Sequence, residues 1–128
     1  EEKKKAIAEG KHHFKGAVFI DAPKDFATIQ KDKGTLVSQG WQISDHDQAV
    51  FKFFLDGNEI SGIKRKNRQD VFEAYQEAYA GDMDPDTIGW QVNLDLNDLD
   101  LGNHKIDIQC SEPDGNILAD KSIQFTLE

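Results

Sequence analysis

Residues 35–57, TLVSQGWQISDHDQAVFKFFLDG, constrain the fold more than any other stretch. Phe51, Phe53 and Leu55 fall on one face and Lys52 and Asp56 on the other. That two-residue period is what a half-buried strand needs. Upstream, Val37, Trp41 and Ile43 share a face, which predicts a second strand with that face turned to the core. Gly40 beside Trp41 points to a close backbone approach or a bulge. The polar run SDHDQ reads as the turn of a hairpin, and the later strands as layers covering it.

The rest of the chain continues the β pattern. GAVFIDAP is a short strand with Val18 and Ile20 on one face, stopped at Pro23. KDFATIQKDKG reads as a polar connection with Phe26 and Ile29 as packing points. Asp56, Gly57 and Asn58 are a strong tight-turn signal ahead of one strand, EISGIKRK. Trp90, Val92, Leu94 and Leu96 alternate inward, with Gln91, Asn93 and Asp95 outward. HKIDIQCS, the loop EPDGN and a last strand bearing Ile123, Phe125 and Leu127 close the chain. Only NRQDVFEAYQEAY, residues 67–79, breaks the pattern. Val71, Phe72, Tyr75 and Tyr79 recur there at helical spacing, with Asn67 as N-cap and Asp70 in the first turn. These elements predict an all-β, antiparallel sandwich of about seven strands with one short helical insertion.

A length of 128 residues fits one domain with a core that needs no disulfide staples. Twenty-four acidic against 15 basic residues give a net charge of −9. Such a surface repels phosphate backbones and anionic lipid, which argues against nucleic acid and bare membrane as partners. No run approaches the ~20 apolar residues of a membrane span, and a signal peptide is expected to be absent or already removed. Cys110 is the only cysteine; it alternates inward with Ile106 and Ile108 and reads as a small core hydrophobe rather than a nucleophile. Residues 1–15 are charged and poor in large apolar side chains, and are expected to be a linker or flexible N-terminal segment before a sandwich domain at 16–128. His12 and His13, adjacent in that segment, read as solvated residues rather than a metal pair.

From about Gly16 onward the ordered landmarks resemble a bacterial immunoglobulin-like module of extracellular, multi-modular proteins. They are VFIDAP, the segment from Leu36 to Gly40 and Trp41, and the alternating strand into Leu55, Asp56 and Gly57. Arg68-x-Asp70-Val71 follows, then Gly89 and Trp90, Leu101-Gly102-x-His104 before Ile106-x-Ile108, and Asp114-Gly115. Gln69 and Gln76 stand where that family commonly has proline, and Trp90 where it usually has phenylalanine. The resemblance implies a non-catalytic spacer or interaction module of a secreted bacterial cell-surface or cell-wall-associated protein. Its partners would be neighbouring modules of a larger chain or a surface protein, and its location extracellular or at the cell surface. The family offers no catalytic residues to carry over.

Three constellations are candidate sites. Arg68 and Asp70, on one short turn, form a structural loop pair. Asp82, Asp84 and Asp86 alternate in GDMDPDTIG, and calcium takes six to eight oxygens that alternate loop positions can supply. Pro85 interrupts that spacing and Asn93 occupies the twelfth position, so this is no EF-hand; a solvated acidic loop is the default and calcium the sharper reading. Asp45, His46 and Asp47 form a weaker candidate of the same kind. Phe72, Tyr75 and Tyr79 are the ligand-binding candidates of the alternative function, a carbohydrate-binding module for cell-wall or host glycans, because exposed rings stack on sugar faces. A binder should expose these rings and a spacer should bury them. Trp41 and Trp90 are assigned to the core. No serine lies in a nucleophile elbow, the four histidines lack HExxH spacing, and acidic pairs arise by chance in so acidic a chain, so no enzyme is expected.

Overall fold

The computed structural model describes residues 14–46, 48–79 and 83–128. Nine strands are found among them: β1 (Gly16–Ala22), β2 (Ala27–Ile29), β3 (Thr35–Ser44), β4 (Val50–Leu55), β5 (Asn58–Ile60), β6 (Lys64–Lys66), β7 (Gly89–Asp95), β8 (Gly102–Ser111) and β9 (Ile117–Leu127). Helix α1 (Gln69–Tyr75) lies between β6 and β7 in sequence. One sheet has the order β1-β3-β7-β6 and the other β2-β9-β8-β4-β5. The result is the immunoglobulin-like β-sandwich that the sequence predicts, with nine strands among the described residues where about seven are expected.

The main core lies between the sheets. Phe53, Leu55, Trp90, Val92, Leu94, Ile106, Ile108, Ile123, Phe125 and Leu127 are all buried there, each at the inward phase that its strand's alternation predicts. Trp90 anchors it, with Phe51 stacked at 5.1 Å and Phe53 edge-on at 5.7 Å. Burying a ring of that size contributes roughly 4–6 kcal/mol of transfer free energy.

Four expectations need correction. First, β3 and β4 do not form a hairpin. β3 pairs with β1 and β7 in one sheet, β4 with β5 and β8 in the other, so the chain changes sheets between Ser44 and Val50. The start of that span is tied to the chain before β1 by Asp45 N–H donating to the Lys15 carbonyl (3.3 Å) and Ser44 Oγ to the same oxygen (2.8 Å). The true tight hairpin is at Asp56 and Gly57, with φ of 52° and 85°, the double left-handed conformation that matches strand twist. Second, Val37, Trp41 and Ile43 share the outer face of β3; Leu36, Ser38, Gly40 and Gln42 face inward and are buried. Third, EISGIKRK is two strands: β5 belongs to one sheet and β6 to the other, with Gly62 at φ 78° between them. Fourth, the 27–29 connection is a strand, and β2 pairs parallel with β9. Its Ile29 packs on the core, whereas Phe26 is exposed.

Gly40 is a close-approach glycine. A Cβ built there would lie 1.9 Å from the Phe19 carbonyl oxygen and 2.8 Å from Trp90 Cζ2. The register of β1 on β3 slips one residue on, between Ile20 and Ala22.

Candidate functional site

The outer face of the first sheet carries a second, smaller core. Ile43, Val71, Tyr79 and Ile88 are buried together, with Ala17, Trp41, Phe72 and Met83 packed against them. Helix α1 supplies the cover because Val71 and Phe72 project from one side of it. The helix starts later than the sequence predicts, at Gln69, yet Asn67 still performs the capping bond: its Oδ1 accepts from Gln69 N–H at 3.1 Å. The backbone continues past Tyr75 with the Tyr79 N–H donating to the Tyr75 carbonyl at 3.1 Å.

The candidate binding aromatics therefore meet different fates. Tyr79 is 9 % exposed, with the Lys15 ammonium 4.9 Å from its ring centre. Burial, then the Asp45, Cys110 and Tyr75 charges, push its hydroxyl pKa above the ordinary value. Phe72 is partly buried in the second core. Tyr75 is 39 % exposed but lies 5.6 Å from Trp41 and edge-on to Tyr79 at 6.4 Å. Trp41 in turn stacks on Phe19 across the strand pair at 5.7 Å. Phe19, Trp41, Tyr75 and Tyr79 thus form a ladder in which each ring contacts another ring.

Arg68 closes the helical segment onto the sheet. Its Nε and Nη2 donate to the two carboxylate oxygens of Asp70 at 3.0 and 2.9 Å, a bidentate fork. Nη1 donates at 2.7 Å to Asp21, on β1 and 47 residues away. The Arg68 hydrogen bond holds Asp70 down at about 2, and both carboxylates raise the Arg68 pKa. No sequence signal marks Asp21 as the third member. It is an outward β-strand aspartate among many, and only the fold brings it beside Arg68.

The acidic loop is used locally. Asp84 Oδ1 accepts from Asp86 N–H at 3.0 Å, capping a 3-10 turn at Pro85–Thr87, and Asp86 Oδ1 accepts from Asn67 Nδ2 at 2.8 Å. Asp82 lies outside the described residues, as do Asp47, His12 and His13. Among the described residues no three His, Cys, Asp or Glu side chains are grouped to hold a metal.

A second clamp, also missed in the sequence, joins the β4–β5 turn to β8. His104 Nδ1 meets the Asp56 carboxylate at 2.6 Å, and Nε2 meets the Asp100 carbonyl at 2.7 Å. Both partners are acceptors, so the ring satisfies both only as the imidazolium. Burial lowers its pKa, but the Asp56 hydrogen bond, the Asp100 carbonyl and the neighbouring negative charges outweigh it, and the net shift is upward.

No protein-family model matches the chain, and no curated protein matches it. Among solved structures, the endo-β-1,4-mannanase of Thermotoga petrophila matches with a TM-score of 0.56 and 12 % identity over 97 % of this chain. The chain spans 22 % of that protein's length. The fibronectin(III)-like modules of Clostridium thermocellum CbhA match with a TM-score of 0.49 at 14 % identity, covering 91 % of this chain and 48 % of theirs. The CARDB domain of a Pyrococcus furiosus protein gives 0.43 at 9 % identity, covering 90 % and 95 %. At these identities the likeness is one of fold.

Proposed function

We propose that residues 16–128 form a non-catalytic spacer and interaction module of a secreted bacterial cell-surface or cell-wall-associated protein, with 1–15 as its linker. The observation that carries this reading is the aromatic ladder. The rings that a glycan binder would present to sugar are engaged with one another and with the outer face of the first sheet. A sandwich that matches about a fifth of a longer polysaccharide-cleaving enzyme supports a place beside other modules, whose surfaces would be its partners. Fold alone does not fix function, so the assignment rests on the packing of the rings.

The partial exposure of Tyr75 favours a second reading, a carbohydrate-binding module with Tyr75 as its platform. The experiment is binding of the 128-residue chain to a glycan array and purified cell-wall polysaccharide, with calcium present. The spacer reading expects no saturable binding. Saturable binding that disappears in Tyr75→Ala, with the fold intact by circular dichroism, would replace it with the carbohydrate reading.

A further inference from the structure

The chain has two arginines, and their surroundings differ sharply. Arg68 is shared between two carboxylates. Arg65, three residues earlier on edge strand β6, meets no carboxylate among the described residues. Its Nη2 donates to Gln42 Oε1 (3.0 Å) and to the Thr87 carbonyl, and its guanidinium carbon lies 5.5 Å from the Phe51 ring centre. Nε and Nη1 have no protein acceptor among the described residues.

Arg65 lines a cleft of about 420 Å³, in the range of small-molecule sites. β6 and β4 come from opposite sheets, so the cleft opens between the sandwich layers, with Phe51, Ile63 and Met83 as apolar wall. The polar atoms around it are already paired. Gln42 Nε2 donates to Cys110 Sγ at 3.2 Å, Ser44 Oγ to the Lys15 carbonyl, and Thr87 Oγ1 to the Asp84 carbonyl at 3.0 Å. The unused donor capacity is therefore cationic, and it lies beside the apolar patch of Phe51, Ile63 and Met83. Lys64 and Lys66, on either side of Arg65, alternate to the outer face of the sheet, so of the three β6 cations it is Arg65 that enters the cleft.

We propose that this cleft binds a small amphipathic carboxylate, its acid group on Nε and Nη1 of Arg65 and its apolar body against Phe51, Ile63 and Met83. A neutral sugar fits poorly, because few free acceptors and donors remain for its hydroxyls. A bare anion such as phosphate would leave the apolar wall wet. Arg65 as a whole keeps solvent access; partial burial of its guanidinium pushes its pKa down, with Cys110 acting in the opposite direction, and a bound carboxylate would favour the charged form. The proposal is independent of the spacer reading, since it uses neither the aromatic ladder nor a neighbouring module.

The test titrates the full chain with 3-phenylpropionate and with its neutral counterpart 3-phenylpropanol, by calorimetry and by the Arg65 Nε–H resonance. Saturable binding of the acid, at least about tenfold tighter than the alcohol and weakened about tenfold or more in Arg65→Gln, is expected. Raised salt should weaken the acid and leave the alcohol unchanged. Equal affinity for acid and alcohol, unchanged affinity in Arg65→Gln, or no saturation by about 10 mM overturns it. Phosphate binding as tightly as the acid would reduce the site to an adventitious anion contact and also overturns it. Should Arg65→Gln fold poorly, the acid-to-alcohol ratio on the unmodified chain still decides.

Discussion

Arg68 is one side chain doing the work of a tie between three segments, and removing its head should show how much that tie contributes. Its side chain is 27 % exposed and Asp70 is 68 % exposed, so solvent screens the Asp70 half more than the Asp21 half. Arg68→Met keeps most of the stem that lies against Gly89. It is expected to lower unfolding free energy by about 1–2 kcal/mol in urea denaturation, with Asp21→Asn costing more than Asp70→Asn. The reverse order would place the tie within the turn instead of between turn and sheet. His104 makes the pH prediction. Its folded pKa lies above 6.5, so the native state prefers the protonated ring. That contribution is complete below pH 6.5 and fades as pH rises through the folded value. Asp70 runs the other way: its contribution is complete above 3.8 and fades as pH falls towards about 2. A melting-temperature series across neutral pH should slope downward in the unmodified chain and flatten in His104→Gln. A slope that survives the substitution would assign it to other groups.

At the scale of elements, the helical cover and the strand beneath it form one packing unit. Tyr79→Ala empties a buried site and is expected to cost about 3 kcal/mol, whereas Tyr75→Ala should cost about 1 kcal/mol because that ring is partly solvated. Equal small losses from both would mean that the cover contributes little. Gly40→Ala should cost about 3 kcal/mol or more, since a methyl there collides with the Phe19 carbonyl and Trp90. That glycine was legible: Gly beside Trp in a strand predicts close approach, and the structure has it. The facing of β3 was not. Alternation in 35–44 is genuine, but the larger apolar residues lie on the outer face because the inner positions are constrained. Gly40 must admit Trp90, Ser38 donates to the Ala22 carbonyl at 3.0 Å, and Gln42 bridges Cys110 and Arg65. Trp41 and Ile43 look outward to a third layer that no strand period can announce. The same blindness hid Asp21 from Arg68 and Asp56 from His104, pairs 47 and 48 residues apart. The facing of β4, β7, β8 and β9 was legible, though the pairing of β4 was not, because one face of each meets the opposite sheet.

Across the whole molecule, the question is whether two sheets and their helical cover open together, and Cys110 is placed to answer it. The thiol is fully buried on the inner face of β8. It accepts from Gln42 of the opposite sheet, and a Cβ on Gly16 of β1 would come within 3.0 Å of it. Burial pushes its pKa above 9.0, against the pull of Gln42, Ser44 and Arg65, so the closed protein offers little thiolate. A disulfide reagent can then reach it only after the sheets separate or β1 leaves the edge of its sheet. If the sandwich opens as one unit, labelling should be at least about 10³-fold slower than in the urea-unfolded chain. Its dependence on urea should also match the slope of global unfolding. Fast labelling with little urea dependence would instead show β1 detaching alone, exposing an unpaired edge to other strands. For a module set among others, that would move its contact surface from the finished faces of the sandwich to the bared edge of β3.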